Sequence, residues 1–381
     1  MTEPDDLDLL AEQLNALQSA EPSPGGVDTS RVELWLAALV EARGADLLLV
    51  AGAPPTIRVE TKLAPIAEGL LDGLDVEQAV LPALPPHARR RYEEEGIADA
   101  SLKIPGLGRF RVNLHRERGR AAAAIRSLPA RVPRLATLNL PAGIEALIRI
   151  PHGLVLIGGA TGSGKTTTLA ALVDEINRHQ ARHIVTVEDP IEYEHQHASS
   201  LVEQVEIGID APDFATALRS AVRQAPDVIV VGEMRDPETM QVALAAAETG
   251  HLVFSTLHTT DVASTVGRIS DAFPPERQHT VRQDLAMALA AVFTQTLLPA
   301  TGARRMPAGE LLMVSYGARQ HIRKNALQHL HQEITITRKL GSFTLEESLA
   351  GLVKQGLVDR RDALLRAGHP DELAQILGPS V

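Results

Sequence analysis

"LVLIGGATGSGKTT", residues 154–167, passes from an apolar run through a glycine-rich turn into the start of a helical pattern. Gly159, Gly164, Lys165 and Thr166 fit Gly-x4-Gly-Lys-Thr, a loop in which glycines let backbone amides face phosphate groups. In that pattern the lysine neutralises β/γ-phosphate charge and the threonine hydroxyl ligates magnesium. Gly159, Ala160, Thr161, Gly162, Ser163, Gly164, Lys165, Thr166 and Thr167 are therefore the expected ATP-binding residues, with Thr166 an expected ligand of Mg2+. A glycine-rich turn by itself means little. Here an apolar strand precedes it and a helix follows.

Downstream, strands and helices alternate: "HIVTVED" (183–189), a helix near 213–224, "DVIVVGE" (227–233), a helix near 237–248, "HLVFSTLH" (251–258) and a helix near 262–271. Nearly continuous apolar strands separated by helices predict an α/β domain, its parallel sheet covered on both faces. Ligands of such sheets sit beyond the carboxyl ends of the strands. Glu188 and Asp189, then Glu233, then His258, Thr259 and Thr260 stand at those ends. Asp189 and Asp236 also suit the role of helix N-cap. ATP hydrolysis needs an in-line water, a metal and positive charge. Glu188 is the candidate for orienting the water, Glu233 for holding magnesium directly or through water, and the two glutamates could exchange roles. His258 is expected to reach the γ-phosphate. His251, seven residues earlier, lies about 23 Å away in an extended strand and faces the opposite side, so the two histidines cannot share an ion. A structural or subunit-contact role is expected for His251.

The remaining chain frames this core. A length of 381 residues predicts two domains with appendages. Without cysteine, disulfides, thiolate zinc sites and cysteine nucleophiles are excluded. A net charge of −11 argues against a general nucleic-acid-binding surface. No apolar run approaches the roughly 20 residues that span a bilayer, and the acidic start "MTEPDDLDLL" lacks the basic region of a secretory signal, so a cytoplasmic protein is expected. Residues 1–30 read as an amphipathic helix, with Leu7, Leu10, Leu14 and Leu17 on one stripe, followed by a linker. Residues 31–127 read as an α+β domain with an antiparallel sheet: strands at "DLLLVAG", "TIRVE", "RFRVNLHRE" and "AAAAIRSL", and a helical stretch near 75–95. Residues 128–143 read as an interdomain linker, 144–275 as the ATPase core and 276–381 as a mainly helical region.

"IVTVEDPIEY" (184–193) and "DVIVVGEMRDPETMQVALAAAETGHLVFSTLHTTD" (227–261) together resemble the acidic, Walker B and histidine boxes of the secretion ATPase superfamily, most closely the type IV pilus retraction ATPases, the PilT family. "GLGRFRVN" (106–113) and "RGRAAAAIRSLP" (118–129) are similar to that family's N-terminal domain. The resemblance implies a RecA-like P-loop domain preceded by a PAS-like α+β domain and followed by C-terminal helices. It implies a homohexameric ring, cytoplasmic at the inner face of the membrane, that drives an inner-membrane pilus platform protein, with membrane association only through partners and no nucleic acid. Arg109, Arg111 and Arg126 are its implied nucleotide contacts from the N-terminal domain. The absence of cysteine favours the retraction branch over the extension and type II secretion branches, which carry a four-cysteine zinc motif. Four departures stand out: Leu48 where the family has histidine, Val59-Glu60-Thr61 without the hairpin glycine, Gln204-Val205-Glu206-Ile207 without an arginine, and a partial C-terminal signature, "GARQHIRK" (317–324). They keep open an accessory ring subunit working beside a paralogous pilus ATPase, or a related secretion or pilus-assembly ATPase.

Overall fold

Alternation of side chains sets the first of two units, Met1–Ala130 and Arg131–Val381. The computed structural model describes residues 30–60, 62–300 and 305–378; the leucine stripe at 7–17 lies outside the described residues. The first unit is a six-stranded sheet of β1 (Asp46–Leu49), β2 (Thr56–Val59), β3 (Lys62–Pro65), β4 (Ile97–Ile104), β5 (Gly108–Glu117) and β6 (Arg120–Leu128). Its order is β3-β2-β1-β6-β5-β4, every neighbouring pair antiparallel. Phe110, Val112 and Leu114 of β5 point to one face, where helices Ser30–Glu41, Gly73–Val80 and Pro86–Glu95 bring Trp35, Leu36, Val76 and Tyr92. The helical stretch near 75–95 is two helices, because Pro82, Pro85 and Pro86 cannot donate a mid-helix hydrogen bond. The hairpin between β2 and β3 turns at Glu60 with φ 55°, so a glutamate holds a left-handed conformation that glycine adopts without strain.

The second unit is built on a seven-stranded sheet: β7 (Gly153–Gly158), β8 (His183–Glu188), β9 (Leu201–Glu206), β10 (Val228–Val231), β11 (Leu252–Leu257), β12 (Leu289–Pro299) and β13 (Arg305–Met313). The order is β13-β12-β7-β11-β10-β8-β9, parallel except for the antiparallel edge pair β12–β13. Period-two alternation feeds two cores. Leu154 and Leu156 of β7 meet helices Pro237–Glu248, Val262–Asp271 and Pro275–Ala288; Val155 and Ile157 meet helix Lys165–His179.

Two stretches carry more structure than their patterns suggest. The stretch 128–143 contains the boundary between the units, after Ala130: Leu128 ends β6, and Leu135, with the partly buried Leu138 and Leu140, packs into the core around helix Lys165–His179. In the region 276–381, β12 and β13 extend the sheet before helices Tyr316–Arg323, Leu330–Ile336, Leu345–Lys354, Arg360–Arg366 and Pro370–Leu377. Helix Pro275–Ala288 runs into β12 at Leu289 without a glycine or proline to mark the change. In β13, Pro307 and Gly309 are poor strand residues, tolerated because the strand lies at the sheet edge. Gly309 also lies so close to Phe293 and the Thr294 carbonyl that a side chain has no room. Among the described residues no helix is long and apolar enough to cross a membrane.

Candidate functional site

The loop from β7 to helix Lys165–His179 is shaped by its glycines. Gly159 (φ 156°), Gly162 (77°) and Gly164 (89°) all have positive φ. A Cβ on Gly159 would stand 2.6 Å from the Gln295 carbonyl, and one on Gly164 2.8 Å from Gln295 Nε2. Gln295 of β12 is the loop's anchor: its Nε2 donates to the Ser163 carbonyl at 2.7 Å, and its Oε1 accepts from Thr168 Oγ1 at 2.6 Å. No side chain caps the helix that begins at Lys165, so its N-terminal amides and dipole are available to an anion. The buried Ser163 hydroxyl has no hydrogen-bond partner.

Lys165 is 7% exposed and its Nζ donates to the carbonyls of Gly159 (2.7 Å) and Ala160 (3.1 Å). Burial holds its pKa below the ordinary lysine value, against the pull of Glu233 and Glu192. His258, just past β11, joins several of these groups. Its Nδ1 is 3.3 Å from Thr161 Oγ1 and 3.5 Å from Lys165 Nζ; its Nε2 is 3.3 Å from Glu233 Oε1. Glu233 also accepts on Oε2 from Arg235 Nε (2.9 Å) and Nη2 (2.8 Å). Thr161, Lys165, His258, Glu233 and Arg235 thus form one polar chain, carried on the turns after β7, β10 and β11.

Glu188 ends β8. Its Oε1 accepts from Thr186 Oγ1 at 2.7 Å and from Gln204 Nε2 at 3.1 Å. Gln204 Nε2 also donates to the Tyr193 carbonyl, and its Oε1 accepts from the His195 amide at 2.8 Å. A cavity of about 30 Å³ is lined by Thr166, Glu188, Tyr193, His195 and Thr256, among others. That is room for about one water. His195 turns a buried Nδ1 without a hydrogen-bond partner, and burial lowers its pKa against the attraction of Asp174. A carboxylate and a magnesium-ligand type of hydroxyl therefore line one water-sized space.

The other polar residues at these strand ends have structural partners. Asp236 caps helix Pro237–Glu248 through the Thr239 amide, whereas Asp189 is followed by no helix and so caps none. Thr259 Oγ1 lies 2.6 Å from Thr265 Oγ1, and Thr260 Oγ1 donates to Asp261. In the first unit Arg109, Arg111 and Arg126 lie on the sheet face opposite Phe110 and Val112, with Arg111 and Arg126 directly opposite each other across β5 and β6. Arg111 lies 3.9 Å from Asp99, and Arg126 donates to Asp46 at 2.8 Å while 68% exposed. Gln204, Tyr193, His195, Arg235 and Gln295 were not anticipated as site residues. The quoted Gln204-Val205-Glu206-Ile207 box held one of them; a glutamine within an apolar run was the only trace of Gln295.

The type II/IV secretion system protein family matches residues 135–347. The chain is 41% identical over 326 residues to the type IV pilus retraction ATPase PilT of Pseudomonas aeruginosa, covering 86% of this chain and 95% of that protein. It is 36% identical over 342 residues to the type IV pilus ATPase PilU of the same organism, covering 90% of each. Among solved structures, the pilus retraction motor PilT with bound ADP superposes with a TM-score of 0.79 at 41% identity, covering 89% of this chain and 98% of that one.

Proposed function

The chain belongs to the type II/IV secretion system protein family and, within it, to the pilus retraction ATPase (PilT) family, and from that premise we propose a magnesium-dependent ATPase motor that retracts type IV pili. The observation that carries the reading is the gathering of Lys165, Thr166, Glu188, Glu233 and His258 at the carboxyl ends of β7, β8, β10 and β11.

The reaction is attack of water on the γ-phosphorus of ATP, releasing ADP and phosphate. The amides of 159–167 and the Lys165 ammonium, which now donates to two loop carbonyls, are the donors offered to the phosphates. Glu188, held by Thr186 and Gln204, accepts the proton of a water beside Thr166. His258 links Thr161 and Lys165 to Glu233, so it reports a γ-phosphate to the acidic side of the site. Thr166 and Glu233 are the residues for Mg2+, an ion that neutralises phosphate charge as it develops. The three positive-φ glycines and the uncapped helix suit a phosphate chain. Arg109, Arg111 and Arg126 are the first unit's proposed contacts; Arg111 and Arg126 would have to exchange Asp99 and Asp46 for nucleotide.

The assembly proposed is a homohexamer at the cytoplasmic face of the inner membrane, acting on the pilus platform protein. The likeness to PilU supports a second reading, an accessory subunit beside a paralogous motor. Steady-state ATPase of the purified protein, with and without magnesium, tests the chemistry. Turnover should require magnesium and vanish in Lys165→Ala and Glu188→Ala; equal rates in all three proteins overturn it. A clean deletion tests the biology: hyperpiliated cells that do not twitch are expected, and bald cells rule out retraction.

A further inference from the structure

His331, Glu346, His369 and Glu372 come from three separate helical segments near the end of the chain. His331 lies in helix Leu330–Ile336, Glu346 in helix Leu345–Lys354, and His369 with Glu372 at the start of helix Pro370–Leu377. One ring nitrogen of each histidine and one oxygen of each glutamate all lie within 4.8 Å of one another. His331 Nε2 is 3.2 Å from Glu372 Oε2, and His369 Nδ1 is 3.8 Å from Glu346 Oε1. Ligands about 2.0 Å from a tetrahedral zinc ion are themselves about 3.3 Å apart; the His331–Glu372 pair already has that spacing, and the wider pairs, all within 4.8 Å, need an inward shift.

Glu346 marks this as more than a surface cluster. Its side chain is 1% exposed, its Oε1 accepts the His369 amide at 2.8 Å, and its Oε2 is buried without any hydrogen-bond partner. A buried carboxylate with an unmet oxygen is a costly arrangement unless a cation completes it. No lysine or arginine pairs with Glu346 or Glu372 among the described residues. The two imidazoles lie with centroids 4.1 Å apart and ring planes tilted by 33°, a spacing at which two protonated rings repel. Two neutral imidazoles and two carboxylates carry a charge of −2, which a dication cancels.

We infer that His331, Glu346, His369 and Glu372 form a binding site for a divalent transition ion of the zinc class, clamping helix Pro370–Leu377 to helices Leu330–Ile336 and Leu345–Lys354. Two nitrogens and two oxygens in a compact arrangement suit zinc, whereas the all-oxygen, octahedral demand of magnesium does not. The site is separate in sequence and in residues from the P-loop, and its role is structural.

The test uses full-length, tag-free protein, stripped with chelator and held in excess magnesium so that oxygen-only sites are filled. Zinc uptake measured by elemental analysis after dialysis should reach one ion per chain. Cobalt(II) in its place should give the intense visible absorption of a tetrahedral site. The double variant His331→Gln/His369→Gln should lose the ion, and Glu372→Gln should weaken it by a factor on the order of 100. The thermal midpoint of the wild type should rise with zinc and fall with chelator, and that of the double variant should respond to neither. Equal zinc uptake by wild type and double variant, or a weak octahedral cobalt spectrum in the wild type, overturns the inference and leaves two histidine–carboxylate pairs. The cobalt spectrum is read on the wild type, so a variant that misfolds does not blunt the test.

Discussion

His251 and His258 stand at the two ends of β11, and their surroundings differ in kind. At the carboxyl end His258 meets other side chains, Thr161 and Lys165 from the loop after β7 and Glu233 from the turn after β10. At the amino end His251 meets the backbone of the helix that leads into its own strand: Nδ1 lies 2.9 Å from the Ala246 carbonyl, and the His251 amide donates to the same oxygen at 3.2 Å. One end of the sheet gathers chemistry from distant parts of the chain. The other finishes a local turn. The partners of His258 come from several strand ends, whereas those of His251 come from its own neighbours.

The carboxyl end also has a buried carboxylate in support, and removing its charge is the largest effect expected. Glu310 of β13 accepts from the Val262 amide at 2.6 Å, at the start of the helix that follows the His258 turn. Burial raises its pKa from 4.5 to about 7; the Val262 hydrogen bond opposes the shift, Asp261 adds to it, and His331 and Glu346 act in opposite senses. Below pH about 4.5 the carboxyl is protonated in folded and unfolded chains alike and carries no penalty. As pH rises to about 7 the unfolded chain ionises first, so stability falls through that window. The penalty at alkaline pH is up to about 3 kcal/mol. Glu310→Gln keeps the acceptor for Val262 and removes the charge. In chelator, its melting midpoint should exceed the wild type's at pH 8 and converge with it near pH 4.5. A gap that is the same at both values would show that Glu310 is not titrating.

A smaller effect tests whether the carboxyl end needs positioning as well as chemistry. Gln204 lies outside the glycine-rich loop, yet it donates to Glu188 at 3.1 Å and is tied to Tyr193 and His195. Gln204→Leu conserves much of the volume and leaves Glu188 with Thr186 as donor. The expected result is a fall of about tenfold in kcat, about 1.4 kcal/mol, with KM for ATP little changed. A rise in KM at constant kcat would place Gln204 in nucleotide binding instead.

How much of this was legible in the chain follows from burial. β7, β8, β10 and β11 are short apolar runs buried on both faces and bounded by turn residues, so their pattern is local and readable. Their carboxyl ends follow directly, which is why Lys165, Glu188, Glu233 and His258 could be named as candidates from sequence. β12 was hidden because a helix enters it without punctuation, and β13 because Pro307 and Gly309 disguise it. Gln295 could not be understood until β12 was known to lie beside β7. β9 was hidden by its polar residues, "LVEQVE" at a sheet edge, and Gln204 with it. His331, Glu346, His369 and Glu372 show no metal-binding motif, with 14, 22 and 2 residues between successive members. Only the packing of the last helices brings them together.

The smallest effect probes the amino end of β11 directly. A carbonyl can only accept, so the 2.9 Å contact with Ala246 fixes the proton of His251 on Nδ1 and makes the ring a brace for the turn through Thr249 and Gly250. Losing one such hydrogen bond is worth about 1 kcal/mol. His251→Ala should therefore lower the melting midpoint slightly and leave steady-state ATPase within a factor of two of wild type. His258→Ala, measured beside it, should do the reverse: it should cut kcat by at least about tenfold through lost contacts at the phosphates, with little change in melting. If His251→Ala reduced turnover as much as His258→Ala does, the two ends of the strand would be coupled through its length. The division between a chemical end and a structural end would then fail.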